Sequence, residues 1–127
     1  ARLGGKREGT LDCYAGLVAR TGLGARVVAV QVRSHEAAQA MAEESADLVF
    51  LDADHSRAAV ASDVAAWHAV VKPGGILCGD NWMIGEVQEA SKAVLASLGW
   101  PEPALGPHEI WWSPRPWGPG WPPGVPS

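Results

Sequence analysis

Two short apolar runs constrain this chain more than any other feature, because each stops abruptly at acids. Asp47-Leu48-Val49-Phe50-Leu51 ends at Asp52-Ala53-Asp54-His55-Ser56, and Gly74-Gly75-Ile76-Leu77-Cys78-Gly79 ends at Asp80-Asn81. Runs this short and this apolar read as buried strands. In open α/β sheets the carboxyl ends of such strands are where ligands bind. Polar, titratable groups placed there twice over suggest one site built from both.

The segments around these runs carry helical spacing. Residues 10–20 read as a helix with Leu11, Tyr14, Leu17 and Val18 on one side, Thr10 as its N-cap, and Gly22 and Gly24 as its end. Residues 27–32 are a β-branched run and read as a strand. A helix capped by Ser34 is expected through Met41. Ser56 is placed to cap the next, in which Val60, Val64, Trp67 and Val71 repeat at three and four. Lys72-Pro73-Gly74-Gly75 reads as a stop and turn before a strand at residues 76–78. A last helix is expected over residues 85–98, with Val87, Ala90, Val94 and Leu98 on one face and Gly99 beyond it, and a final strand over residues 108–112.

Strands alternating with helices predict a doubly wound, mostly parallel α/β sheet of Rossmann-like type. The continuous apolar runs predict strands covered on both faces. Residues 1–112 are expected to form this domain. Residues 113–127, rich in Pro, Gly and Trp, are expected to be an irregular tail.

At 127 residues the chain suits one small domain, and its 47% apolar content is ordinary. A net charge of −4 without a basic run argues against a nucleic-acid partner. The apolar runs are far too short for a membrane span. Cys13 and Cys78, far apart, read as free thiols in a reducing cytoplasm.

The acids and the imidazole admit two readings each. Asp52, Asp80 and Asn81 offer the hard oxygens that magnesium-like cations prefer, or they are loop and cap residues at strand ends. His55 is a general base near neutral pH, or a surface histidine at a helix start; Arg57 and Ala58, which follow, cannot serve as bases at that pH. Ser34 reads as a helix cap and His35 as its exposed neighbour. Asp63 reads as a solvated helix residue, Trp67 as core and His68 as surface. Trp82 and Met83 either wall an acceptor pocket or simply pack. No Gly-x-Ser-x-Gly elbow supports a hydrolase.

Taken together, Asp-Ala-Asp-His at residues 52–55, the Lys-Pro-Gly-Gly turn and Gly-Asp-Asn-Trp at residues 79–82 resemble the class I S-adenosylmethionine-dependent methyltransferases. The likeness is greatest to their metal-dependent O-methyltransferase branch, the catechol-type and macrolide-sugar-type enzymes. The resemblance implies that Asp52, Asp80 and Asn81 bind a divalent, magnesium-like metal and that His55 takes the acceptor's proton. It implies that Ser34, His35, Ala53 and Asp54 border the adenine of S-adenosylmethionine, with a small-molecule or sugar hydroxyl as acceptor. A homo-oligomer is compatible with it.

The family's Gly-rich cofactor loop and ribose-binding acid have no counterpart here. By resemblance, residues 27–32 are the third strand and the first two strands are missing, so the chain looks like the carboxyl-terminal part of such an enzyme. It is then expected to leave an open sheet edge and to bind the cofactor weakly when alone. Two alternatives are another Rossmann-like nucleotide-cofactor enzyme and a non-catalytic binding fragment. The first, as a reductase, would need a Gly-x-Gly-x-x-Gly loop and a Tyr-x-x-x-Lys pair that this sequence lacks.

Overall fold

In a computed structural model of the chain, the described residues are 16, 17 and 19–118. Thr10 and Cys13 lie outside them, as do residues 119–127 of the expected tail. The chain divides into two compact units, residues 1–31 and residues 32–127.

In the first unit, residues 16, 17 and 19–21 are helical and the turn at Gly22 takes a positive φ, where the expected helix was to end. The strand expected at residues 27–32 is not formed. These residues are irregular, and Val28 and Val30 are 78% and 66% exposed. β-branched composition favours an extended backbone, but a strand persists only when a neighbour satisfies its N–H and C=O groups. No ladder includes residues 27–32.

The second unit holds helix α1 (Ser34–Ala40), strand β1 (Ala46–Leu51), helix α2 (Arg57–Trp67) and a 3₁₀ turn (His68–Val70). Strand β2 (Val71–Gly79), helix α3 (Gly85–Ser97), and strands β3 (Ala104–Leu105) and β4 (Trp111–Pro114) follow. The sheet order is β1-β2-β4-β3. β1 and β2 are parallel, while β4 joins β2 antiparallel and β3 joins β4 antiparallel. The sheet is therefore mixed, and among the described residues its one parallel ladder lies where the sequence placed it.

Double winding is not seen among the described residues either. Along β1, β2 and β3, which run parallel, the order advances in one direction, and crossovers of the same hand then place their helices on the same face, while β4 steps back between β2 and β3. Accordingly α2 and α3 share one core with one face of the sheet: Val60, Val64, Val87, Ala90 and Leu95 pack with Val49, Leu77 and Trp111. The expectation of strands covered on both faces fails for β1. Leu48 and Phe50 alternate with Val49 along the strand and are 57% and 46% exposed. β1 is also an edge, as the sequence implied.

Local chemistry explains the element ends. Ser56 caps α2 by accepting from the Ala59 N–H at 3.3 Å. At the end of α3, Trp100 N–H donates to Leu95 O and Gly99 N–H to Ala96 O. This paired closure needs a left-handed residue, and Gly99 supplies it with φ 77°. Trp100 then folds into the core beside Leu95. The buried side of α3 is Val87, Ala90, Ser91 and Leu95, so the stripe turns away from Leu98, which is exposed. α1 differs from expectation: its N-cap is Arg33, without a side-chain bond, and Ser34 is its first residue.

Two boundaries move. Lys72-Pro73-Gly74-Gly75 is no separate turn but an irregularity inside β2, where Ala46 pairs with Val71 and Leu48 already with Ile76. The domain also runs past residue 112. Ser113 is fully buried, with its hydroxyl donating to Pro101 O at 2.8 Å, and Arg115 N–H donates to Gly75 O at 2.8 Å. Proline cannot donate to a ladder, but Pro114 ends this strand, where the loss matters least.

Candidate active site

The crossover from β1 into α2 and the link from β2 into α3 leave the sheet side by side, because the parallel pairing sets Leu51 opposite Gly79. Asp80 N–H extends this ladder to Leu51 O at 3.2 Å. A shallow open cleft of about 20 Å³ lies there. Asp52, Ala53, Asp54, His55, Asp80 and Asn81 line it, over a floor of Leu51, Val60, Val87 and Trp111. Gly79 lets that floor close. A Cβ there would stand 2.6 Å from Trp111 Nε1, so only glycine admits the indole across the strand end.

Each loop is held by its own short bonds. Asp54 Oδ1 accepts from Ser56 N–H at 2.9 Å, an Asx turn that feeds the cap of α2. Asp80 Oδ1 accepts from Asn81 N–H at 2.7 Å, and Asn81 takes a left-handed conformation at φ 66°. Asparagine tolerates that region better than most residues. The conformation brings Asn81 Nδ2 to 2.8 Å from His55 Nε2, so the amide of one loop meets the imidazole of the other. The Asp52 carboxylate makes no hydrogen bond or ion pair with any described residue, and neither does that of Asp63.

Six of the eight residues singled out by sequence therefore line one cleft, and Ser34 and His35 do not. Ser34 Oγ accepts from Trp67 Nε1 at 2.8 Å, which fixes it beside the carboxyl end of α2, whereas the cleft borders the amino end. His35 is exposed. Among the described residues no three His, Cys, Asp or Glu side chains are grouped as a metal site requires. The expected divalent-metal centre thus rests on the donor types of Asp52, Asp80 and Asn81 alone.

Sequence reasoning missed Asp63 as a cleft residue. It lies three positions after Val60 and is half-buried, so the signal was its place on the core-facing side of α2. Trp82, offered as a pocket wall, is core: its indole packs at 6.4 Å from Trp111, with Lys92 Nζ 5.7 Å from its ring centre. Met83 is exposed. Cys78 is a buried free thiol as expected. Its Sγ lies 3.4 Å from Val49 O, and burial pushes its pKa above the usual thiol value. Among the described residues no helix is long and apolar enough to cross a membrane.

The chain is thus a mixed α/β unit with titratable groups gathered at the carboxyl ends of two parallel strands. The family described as Methyltransferase domain matches residues 7–82, more than half of the chain and a span that includes all eight candidate residues. The chain belongs to that family. Among solved structures it is similar to a possible exported protein from Bordetella parapertussis, at 14% identity and a TM-score of 0.58. That likeness concerns the fold, covering 84% of this chain and 50% of the other, so the chain spans half the length of that structure. No curated protein matches.

Proposed function

We propose that the chain carries the acceptor side of an S-adenosylmethionine-dependent O-methyltransferase acting on a hydroxyl of a small molecule or sugar. The observation that carries this reading is the meeting of His55 and Asn81, from two different loops, above Asp52 and Asp80 in one cleft. The bound donor supplies a methyl group made electrophilic by its sulfonium. Four carboxylates line the cleft, Asp52, Asp54, Asp63 and Asp80, without a lysine or arginine among them, so the cleft favours cationic over anionic groups.

His55 is the base. With the imidazole neutral, the lone pair that Asn81 Nδ2 meets is the one that accepts the acceptor's proton. The acceptor hydroxyl takes the place of the amide at Nε2, and Asn81 holds the ring in position until then. Ala53 and Asp54 border the donor's side of the cleft, while Ser34 and His35 stand apart from it. In this reading Asp52, Asp80 and Asn81 would hold a magnesium-like ion, which lowers the proton affinity of a bound hydroxyl. Their oxygens suit such an ion in type. A cytoplasmic setting, supported by the buried free thiol of Cys78, and a chain that forms only part of a longer enzyme belong to the same proposal.

The test is transfer of labelled methyl from S-adenosylmethionine to a panel of catechols and sugars, with the protein as it occurs in its source. His55→Ala should lower kcat by about 10²–10⁴. Full turnover by that variant removes the base assignment. Turnover that survives chelation, with no cation detected by elemental analysis of the purified protein, removes the metal.

A further inference from the structure

The two site loops each carry a local hydrogen bond of their own, yet the chemistry proposed above needs them in register with each other. A cross-helix clamp stands where that register is set. Arg57, the first residue of α2, donates its backbone N–H to Glu86 Oε2 of α3 at 2.9 Å. Its guanidinium donates to both carboxylate oxygens of Glu89, at 3.0 and 2.7 Å. Glu86 thus lies at the amino ends of two helices at once, in the first turn of its own and on the first N–H of the other. Both ends are positive through the aligned peptide dipoles, and α2 and α3 each begin directly after a site loop.

The pair Arg57–Glu89 is 60% exposed on both sides. Ion pairs in such water add little to folding stability. What the contact of one guanidinium nitrogen, Nη2, with both carboxylate oxygens does supply, together with the Arg57 N–H on Glu86, is geometry. The first residue of α2 is two positions from His55, and the first residue of α3 is four from Asn81. A clamp between these helix starts fixes the separation of the two loops at the place where the 2.8 Å contact between His55 and Asn81 is made.

The geometry points to Arg57, Glu86 and Glu89 as positioning residues, which hold the His55 and Asn81 loops in register without touching the ligand. This rests on the reading of His55 and Asn81 as one site, and its test needs no turnover. The full chain, isotope-labelled and free of ligand, is compared with Glu86→Ala, Arg57→Ala, Glu86→Gln and the exchanged pair Arg57→Glu/Glu89→Arg. The nuclear Overhauser contact between the Asn81 side-chain amide and the His55 ring should vanish in both alanine variants. It should survive in Glu86→Gln, whose amide oxygen still accepts the Arg57 N–H, and return in the exchanged pair. The amide shifts of Val64, Leu77 and Leu95 should stay in place throughout and report an intact core. The contact persisting in both alanine variants overturns the proposal, as does its absence from the exchanged pair. Titration with S-adenosylhomocysteine separates the two ideas. No binding by the parent chain, with the contact behaving as expected, supports the clamp and counts against the cofactor reading alone.

Discussion

The two ends of β2 handle polar groups in opposite ways. At the entrance, Arg115 reaches across from the strand beside it, and its Nη1 donates to Val71 O at 2.6 Å and to His68 O and Ala69 O at 3.4 Å. Its Nη2 lies 3.5 Å from Glu44, Lys72 pairs with Asp47 at 3.2 Å, and Gly74 N–H donates to Arg115 O at 2.8 Å. The polar atoms there face the protein's own backbone and charges. At the exit, Asp52 and Asp63 make no such bond with any described residue, and His55 is met by Asn81 alone. Groups bound to the fold hold it together, while groups left open at a strand end are available to a ligand. Bound and open polar groups thus lie at opposite ends of one nine-residue strand.

Substitutions test that contrast, and the largest effect should come from the middle of β2, which serves both ends. Leu77 is fully buried against α2 and α3. Leu77→Ala should cost about 3–4 kcal/mol through lost burial and the cavity left behind. A thermal melt should show a Tm lower by roughly 15 °C. A loss below about 1 kcal/mol would mean that the sheet is not seated on these helices.

The entrance comes next. Arg115→Ala strips the donor from three carbonyls of the 3₁₀ turn and β2 while most of the side chain's surroundings stay in place. The expected cost is about 2 kcal/mol, in the range of hydrogen bonds to a charged group, discounted for partial exposure. Arg115→Lys should recover little, because one ammonium cannot at once meet the carbonyls that Nη1 reaches and the Glu44 carboxylate that Nη2 reaches. Urea titration reads both. Equal stability of the lysine variant and the parent would reduce the Arg115 contacts to a general charge effect and blur the difference between the two ends.

How legible this was in the sequence follows the same division. The exit could be read because its signal is local: an apolar run that stops at acids, Ser56 as a cap, Gly99 as a helix end. The entrance could not. Arg115 sits in a Pro- and Gly-rich stretch, and its work depends on carbonyls more than forty residues earlier in the chain. The Pro-Gly-Gly signal was real, but it bends β2 without ending it, because the ladder to β1 resumes at Ile76. Residues 27–32 carried the composition of a strand, yet no composition reveals whether a neighbour will be there to pair with it. Ser34 stands apart from the cleft for a related reason: its hydroxyl is met by Trp67, thirty-three residues away.

The smallest effect on stability should come from the exit itself, and it tests the contrast most sharply. His55 is exposed and contacts Asn81 without supporting any element. His55→Ala and Asp52→Asn should each leave the unfolding free energy within about 0.5 kcal/mol of the parent, as surface substitutions away from structural features do. Asp54→Ala should differ, since its carboxylate forms the turn that leads into α2, and it should lose about 1 kcal/mol, as for a missing cap. Two neighbouring acids at one strand end would then separate in a single denaturation series, Asp52 free of the fold and Asp54 part of it. If Asp52→Asn costs as much as Asp54→Ala, the open carboxylate supports the fold after all, and the exit of β2 is no different in kind from its entrance.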